Sequence, residues 1–262
     1  MRRTGFYSGL TAALAAVLLA GCFAGTPNLG PSQQPVEAGH ACEDLADTGN
    51  QIEFGDELGD EIHGVELGMG KTGVILAHEE SGDVCEWLPF GQELQANGYH
   101  VLVFDFVDDS VGVSKGPEGD MVRQLQSAAA FLRKLGAQSI VLMGASMGAT
   151  GVLNAGGVLS PGPAAVVALS PIGDYKGVKA VDGAKKVTVP LLVAAGKKDT
   201  ITYPDSADIA QAAYAQAPAK NKKLLLGNDE LRGHNIVTQG IGHDDVRVQV
   251  LTWLTTVAPP LP

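Results

Sequence analysis

From Gln51 onward the chain alternates short, near-continuous apolar runs with stretches of helical periodicity, and this alternation constrains the fold more than any other feature. The runs are 72–77, 99–105, 139–143, 164–169, 190–195 and 222–226. A strand with one wet face alternates apolar and polar residues. These runs do not, so both faces must be covered, as in a parallel sheet. Between them, 119–135 sets Met121, Val122, Leu125, Ala128, Ala129, Leu132 and Leu135 along one helical face. Residues 204–217 are Ala-rich and helical, and 244–257 supplies a closing helix. Before the first buried run, 51–54 and 61–67 flank a Gly- and Asp-rich turn and read as a hairpin. The predicted class is α/β, with a mostly parallel central sheet of about eight strands and helices on both faces. Active sites in such sheets gather at the carboxyl ends of the strands.

Two segments precede this domain. Met1-Arg2-Arg3 is basic, and Leu10 to Ala20 is apolar except for Thr11. The apolar core is too short for a spanning helix, which needs about 20 residues, and reads as an export signal. Its end, Leu19-Ala20-Gly21-Cys22, resembles a bacterial lipobox. That resemblance implies a signal peptide over 1–21, cleavage before Cys22 and lipidation of its thiol. It also implies an exported protein anchored on the outer side of the cytoplasmic membrane. Residues 22–48 carry Thr26-Pro27, Gly30-Pro31 and Gln34-Pro35 with few large apolar side chains, and read as a flexible tether. The folded domain is expected over 49–262.

Charge narrows the possible partners. Lys and Arg number 18 against 29 Asp and Glu, a net charge of −11, so the basic surface that nucleic acid requires is not expected. Aromatic residues make up only 5%, too few for an extensive base-stacking platform. The six histidines are scattered, no Cys-x-x-Cys or His-Glu-x-x-His occurs, and no Gly-x-Gly-x-x-Gly follows the first buried run. Chemistry without metal or cofactor is expected, from a monomer.

One motif carries chemistry. Gly144-Ala145-Ser146-Met147-Gly148 follows the 139–143 run and precedes a helical stretch. A serine on so tight a strand-to-helix turn is lifted out of the sheet. Its neighbours two positions away have no room for side chains, and the following helix aims its first N–H groups at developing negative charge. With 34 glycines in the chain the pattern arises easily by chance, and Gly112-Val113-Ser114-Lys115-Gly116 matches it too. Ser114 lies in the loop after the 99–105 run, before Pro117, and reads as a turn residue. Context selects Ser146.

With this motif in place, the chain from about Gln51 to Leu254 resembles the α/β-hydrolase family. The resemblance rests on the elbow, on an altered Asp-x-x-Gly-x-Gly-x-Ser-like turn over 105–114, on Gly196-Lys197-Lys198-Asp199, and on Gly233-His234 after the final strand. The order Ser, Asp, His is the family's order. Small esterases and dienelactone-hydrolase-like members look most similar, although the latter usually carry cysteine where this chain has Ser146. The resemblance implies Ser146 as nucleophile, His234 as general base and Asp199 as the acid that orients it. It also implies an oxyanion hole from the backbone N–H groups of Met147 and Glu79. Many relatives have His-Gly where this chain has His78-Glu79, and the Glu79 charge helps an oxyanion only if turned away. His78 is expected to support its loop. His243 rivals His234, while Asp174 and Asp205 rival Asp199. Only about twenty residues separate the 164–169 run from Pro190, so no large cap domain is expected over the site.

The implied activity is a serine hydrolase that cleaves carboxylic esters or thioesters, small or polymer-borne, through an acyl-enzyme. Acyl transfer or peroxyacid formation on the same triad, or a non-catalytic binding lipoprotein, are the alternatives. With Cys22 assigned to lipid, Cys42 and Cys85 remain for a disulfide in an oxidising compartment, worth about 4 kcal/mol in the chain-entropy model.

Overall fold

The structure is a computed structural model that describes residues 49–80, 82–107, 120–197, 205–227, 232–238 and 244–261. The signal, the tether, Cys22, Cys42, Ser114, Asp199 and His243 therefore lie outside the described residues.

The opening hairpin forms as expected. β1 (Asn50–Gly55) pairs antiparallel with β2 (Glu61–Leu67), with Phe54 opposite Ile62. The six apolar runs become β3 (Thr72–Ala77), β4 (His100–Phe104), β5 (Ser139–Ala145), β6 (Ala165–Leu169), β9 (Leu191–Gly196) and β10 (Lys222–Gly227). They join the hairpin in one eight-stranded sheet of order β1-β2-β4-β3-β5-β6-β9-β10. From β4 to β10 every pairing is parallel, and β2 meets β4 antiparallel. Between β6 and β9 lie only a two-stranded hairpin, β7 (Asp174–Tyr175) with β8 (Val178–Lys179), and the short helix α4 (Ala180–Ala184).

The period-two geometry of the strands divides one set of apolar residues between two cores. Val74, Leu76, Val101, Val103, Val141, Met143, Val167 and Leu192 face one side, packed by α1 (Leu88–Ala96), α6 (Asn235–Thr238) and α7 (Asp244–Val257). Ile75, Leu102, Phe104, Ile140, Leu142, Val166 and Val193 face the other. There they meet α2 (Met121–Lys134), α3 (Met147–Gly156), α4 and α5 (Ser206–Gln216). Each fully buried Val, Leu, Ile or Phe contributes about 1.5–3 kcal/mol relative to exposure, which is why the central strands can afford no polar face.

Local signals set the helix ends. The Asp120 carboxylate accepts from Arg123 N at 3.0 Å and caps α2, whose last turn carries Arg133 and Lys134 against the negative end of the dipole. At the amino end of the sheet, Tyr99 Oη donates to Ala258 O and Thr72 Oγ1 to Pro259 O, so the residues after α7 clamp β3 and β4. The opposite, carboxyl ends of β3, β5 and β6 are where the motif residues converge.

Candidate active site

Ser146 sits between β5 and α3 with φ 51° and ψ −111°, a left-handed conformation that a side chain adopts only under constraint. Such a conformation costs about 1–3 kcal/mol and is held by its surroundings. Those surroundings are glycines. A Cβ on Gly144 would come within 2.5 Å of the Gly148 carbonyl, and one on Gly148 would run into the backbone oxygens of Ala77 and His78. Ser146 N donates to Leu169 O at the end of β6, and Gly148 N donates to His78 O just past β3. The elbow is thus tied to both neighbouring strands. Met147 opens α3, and as the first helical residue its N–H has no acceptor within the helix. Ser146 itself is buried, and among the described residues its Oγ has no hydrogen-bond partner.

His234 reaches the same end of the sheet from the turn before α6. Gly233 N donates to Ser170 Oγ at 3.0 Å, and Ser170 directly follows β6. Ser170 is buried and adopts φ 49°, so the last residue of β6 serves the serine through Leu169 O and the next residue serves the histidine segment through Ser170 Oγ. The Trp87 ring, buried in the core, backs the imidazole at 6.3 Å between centroids.

The loop after β3 departs from expectation. Glu79 directs its carboxylate onto the histidine. Glu79 Oε1 accepts from His234 Nδ1 at 2.9 Å and from His234 N at 2.8 Å, while Oε2 accepts from Arg232 at 3.0 Å. The Glu79 N–H, expected as the second oxyanion donor, instead donates to Glu86 Oε1 at 3.0 Å. That assignment is corrected on geometric grounds, because one N–H spent on a carboxylate is not also aimed at a substrate oxygen. His78 supports the loop as expected. It accepts from Phe106 N at Nε2, so Nδ1 carries the proton and donates to Glu79 O at 2.6 Å.

Glu86 sits on a 3-10 turn (Val84–Glu86) with its Oε2 3.5 Å from His234 Nδ1. Burial alone would raise the Glu79 carboxyl. The bonds from the His234 ring and amide outweigh it, with help from the His234 and Arg232 charges, and hold it below the ordinary value. Burial also dominates at Glu86 and leaves it above the ordinary value despite the Glu79 N–H. For His234, burial pulls downward, but the Glu79 hydrogen bond and the charges of Glu86 and Glu79 win and raise it. Asp105, just past β4, is pushed up to about 7 by burial, with the Asp83 and Glu86 charges adding and the Val84 N–H opposing.

Donor atoms of Glu79, Glu86 and His234 lie within 4.8 Å of one another, a spacing that can hold a cation. The Glu79 oxygens are already taken by three protein donors, one of them the Arg232 guanidinium, so the arrangement is read as an ion-pair network.

The rival acids are placed elsewhere. Asp174 is exposed on β7, where its Oδ1 accepts from Gly177 N. Asp205 precedes α5 at its N-cap position. Sequence reasoning missed the Glu79 side chain as a histidine partner and missed Glu86, Arg232 and Ser170 altogether. Gly233 leaves room for the contact: its φ is 55° and a Cβ there would fall on Glu79 Oε1.

No protein-family model matches the chain, and no curated protein does. Solved structures do. An esterase from Pyrococcus furiosus superposes with a TM-score of 0.67 at 18% identity, covering 83% of this chain and 95% of that one. The chain has the α/β-hydrolase fold. A putative dienelactone hydrolase from Klebsiella pneumoniae matches with a TM-score of 0.62 at 16% identity, over 79% of this chain and 97% of its own. A soluble variant of the monoglyceride lipase from Saccharomyces cerevisiae matches with a TM-score of 0.63 at 13% identity, over 80% and 95%.

Proposed function

We propose that the protein is a serine hydrolase that cleaves carboxylic esters or thioesters through an acyl-enzyme on Ser146. The observation that carries this reading is the positive φ of Ser146 on a turn whose flanking glycines admit no side chain. Strain of that kind persists where function requires it. The chemistry follows from the residues. His234 Nε2 takes the Ser146 proton as Oγ attacks the carbonyl carbon, and the Met147 N–H stabilises the oxyanion. The departing alcohol or thiol recovers the proton from His234. Water then attacks the acyl-enzyme by the same route, releasing the acid and restoring Ser146. General-base assistance of this kind is worth about 10²–10⁴ in rate.

The neighbours named esterase, dienelactone hydrolase and lipase support ester chemistry as a class. The short connection before β9 favours small or polymer-borne esters over long buried acyl chains. The test is Ser146→Ala against short-chain aryl esters. Turnover is expected to fall to the background rate, and activity near the wild-type level would overturn the reading.

A non-catalytic role draws on one observation, the engagement of the Glu79 N–H by Glu86. Covalent reaction of Ser146 with a fluorophosphonate would end it.

The envelope location is part of the same proposal: lipidated Cys22 as anchor, 22–48 as tether, and a Cys42–Cys85 bridge joining the tether to the turn that carries Glu86. Intact mass after alkylation tests the bridge. No alkylatable thiol is expected at Cys42 or Cys85 without reductant, and two would overturn it.

A further inference from the structure

We propose that Glu79, on the loop after β3, is the positioning carboxylate of His234, the role that the family resemblance implies for Asp199. This inference rests on the proposed Ser146–His234 chemistry. Its geometric basis is that one oxygen, Glu79 Oε1, accepts from both the ring Nδ1 and the backbone N of the same histidine. Bridging a residue's ring to its own backbone fixes the ring orientation more firmly than a single contact. Arg232 holds the second oxygen, so the carboxylate has three donors and little freedom to turn. Gly233 is the complementary feature, because any side chain at that position would displace Oε1.

The chemical consequence follows from donor and acceptor roles. An ionised carboxylate only accepts, so Nδ1 carries the proton and Nε2 of the neutral ring is the free base. When Nε2 receives the serine proton, the imidazolium lies beside Glu79, with Glu86 Oε2 3.5 Å from Nδ1. Neither carboxylate takes the proton; both stabilise the charge until the leaving group removes it. The charged groups facing His234 are Glu79 from the β3 loop, Glu86 from the 3-10 turn and Arg232 from the segment before α6. Asp83 acts on Glu86, and Glu86 in turn acts on Asp105. Two carboxylates against one guanidinium hold the imidazole above its ordinary value. The acid limb of kcat/KM is therefore expected above the ordinary histidine value of about 6.5.

The experiment compares Glu79→Gln, Glu79→Asp and Asp199→Asn with wild type in the full chain. It measures kcat and KM for a short-chain aryl ester across pH, with thermal melts to verify folding. Glu79→Gln should lower kcat by about 100-fold or more with KM nearly unchanged, and should move the acid limb to lower pH. Glu79→Asp should fall between Glu79→Gln and wild type, because it keeps the charge but falls one methylene short. Asp199→Asn should retain more activity than Glu79→Gln. Wild-type kcat and acid limb in Glu79→Gln would overturn the proposal, as would the predicted losses appearing only in Asp199→Asn. If Glu79→Gln does not fold, Glu79→Asp decides: lowered kcat at constant KM supports the role, and wild-type kcat contradicts it. Failure of the function itself looks different, since wild type would then show no Ser146-dependent turnover.

Discussion

At the scale of single residues, the candidate site depends on how little room the backbone leaves. Gly148 is the clearest case. It donates to His78 O, and a methyl group on its Cα would collide with main-chain oxygens of Ala77 and His78 that cannot rotate away. Gly148→Ala should push α3 off β3 and displace Ser146, lowering ester turnover at least about 100-fold and stability by about 1–3 kcal/mol. Kinetics and denaturant melts on the purified variant check both. Wild-type turnover would show that the elbow tolerates the displacement. The Gly-x-Ser-x-Gly spacing made this requirement legible in the sequence, because it is a local steric constraint over five residues. The Glu79–His234 contact was not legible. The two residues are 155 positions apart, and whether a glutamate after β3 faces an oxyanion or a histidine depends on where the final loop returns.

At the scale of elements, the strands were readable because burial on both faces leaves an uninterrupted apolar run. Helix α2 was readable for the opposite reason, since its exposed face makes its periodicity visible. α1 carries Pro89 and Gly91 and shows little pattern, although Leu88, Phe90 and Leu94 are buried. Its start is explained by proline near the first helical position, where the missing N–H costs nothing. The crossing of β3 and β4 in sheet order, and the β7–β8 hairpin, come from pairings that no single segment encodes.

The end of β4 supplies a pH prediction. Asp105 has a folded value of about 7 against an ordinary value of 3.8, so between these the folded protein holds a proton that the unfolded chain has lost. Stability must therefore fall as pH rises through that window, and the penalty is complete above about 7. Asp105→Asn keeps an oxygen for Val84 N but cannot ionise. Melting temperatures should show the variant gaining on wild type from pH 5 toward pH 8. A constant difference across that range would contradict the assignment.

At the scale of the whole molecule, two acidic loops and one strained turn converge at the carboxyl edge of a sheet whose other end is closed by the residues after α7. The fold class, the strand count and the small connection before β9 followed from apolar runs and their spacing. The acid of the site did not, because its placement is a tertiary fact. Everything in the proposed chemistry depends on Ser146 being an activated nucleophile. The most direct test is fluorophosphonate labelling of the native protein, followed by intact mass and peptide mapping. One adduct per chain is expected, located on Ser146, formed faster as pH rises through the His234 transition and absent in Ser146→Ala. No adduct, or an adduct that persists in Ser146→Ala, would contradict it.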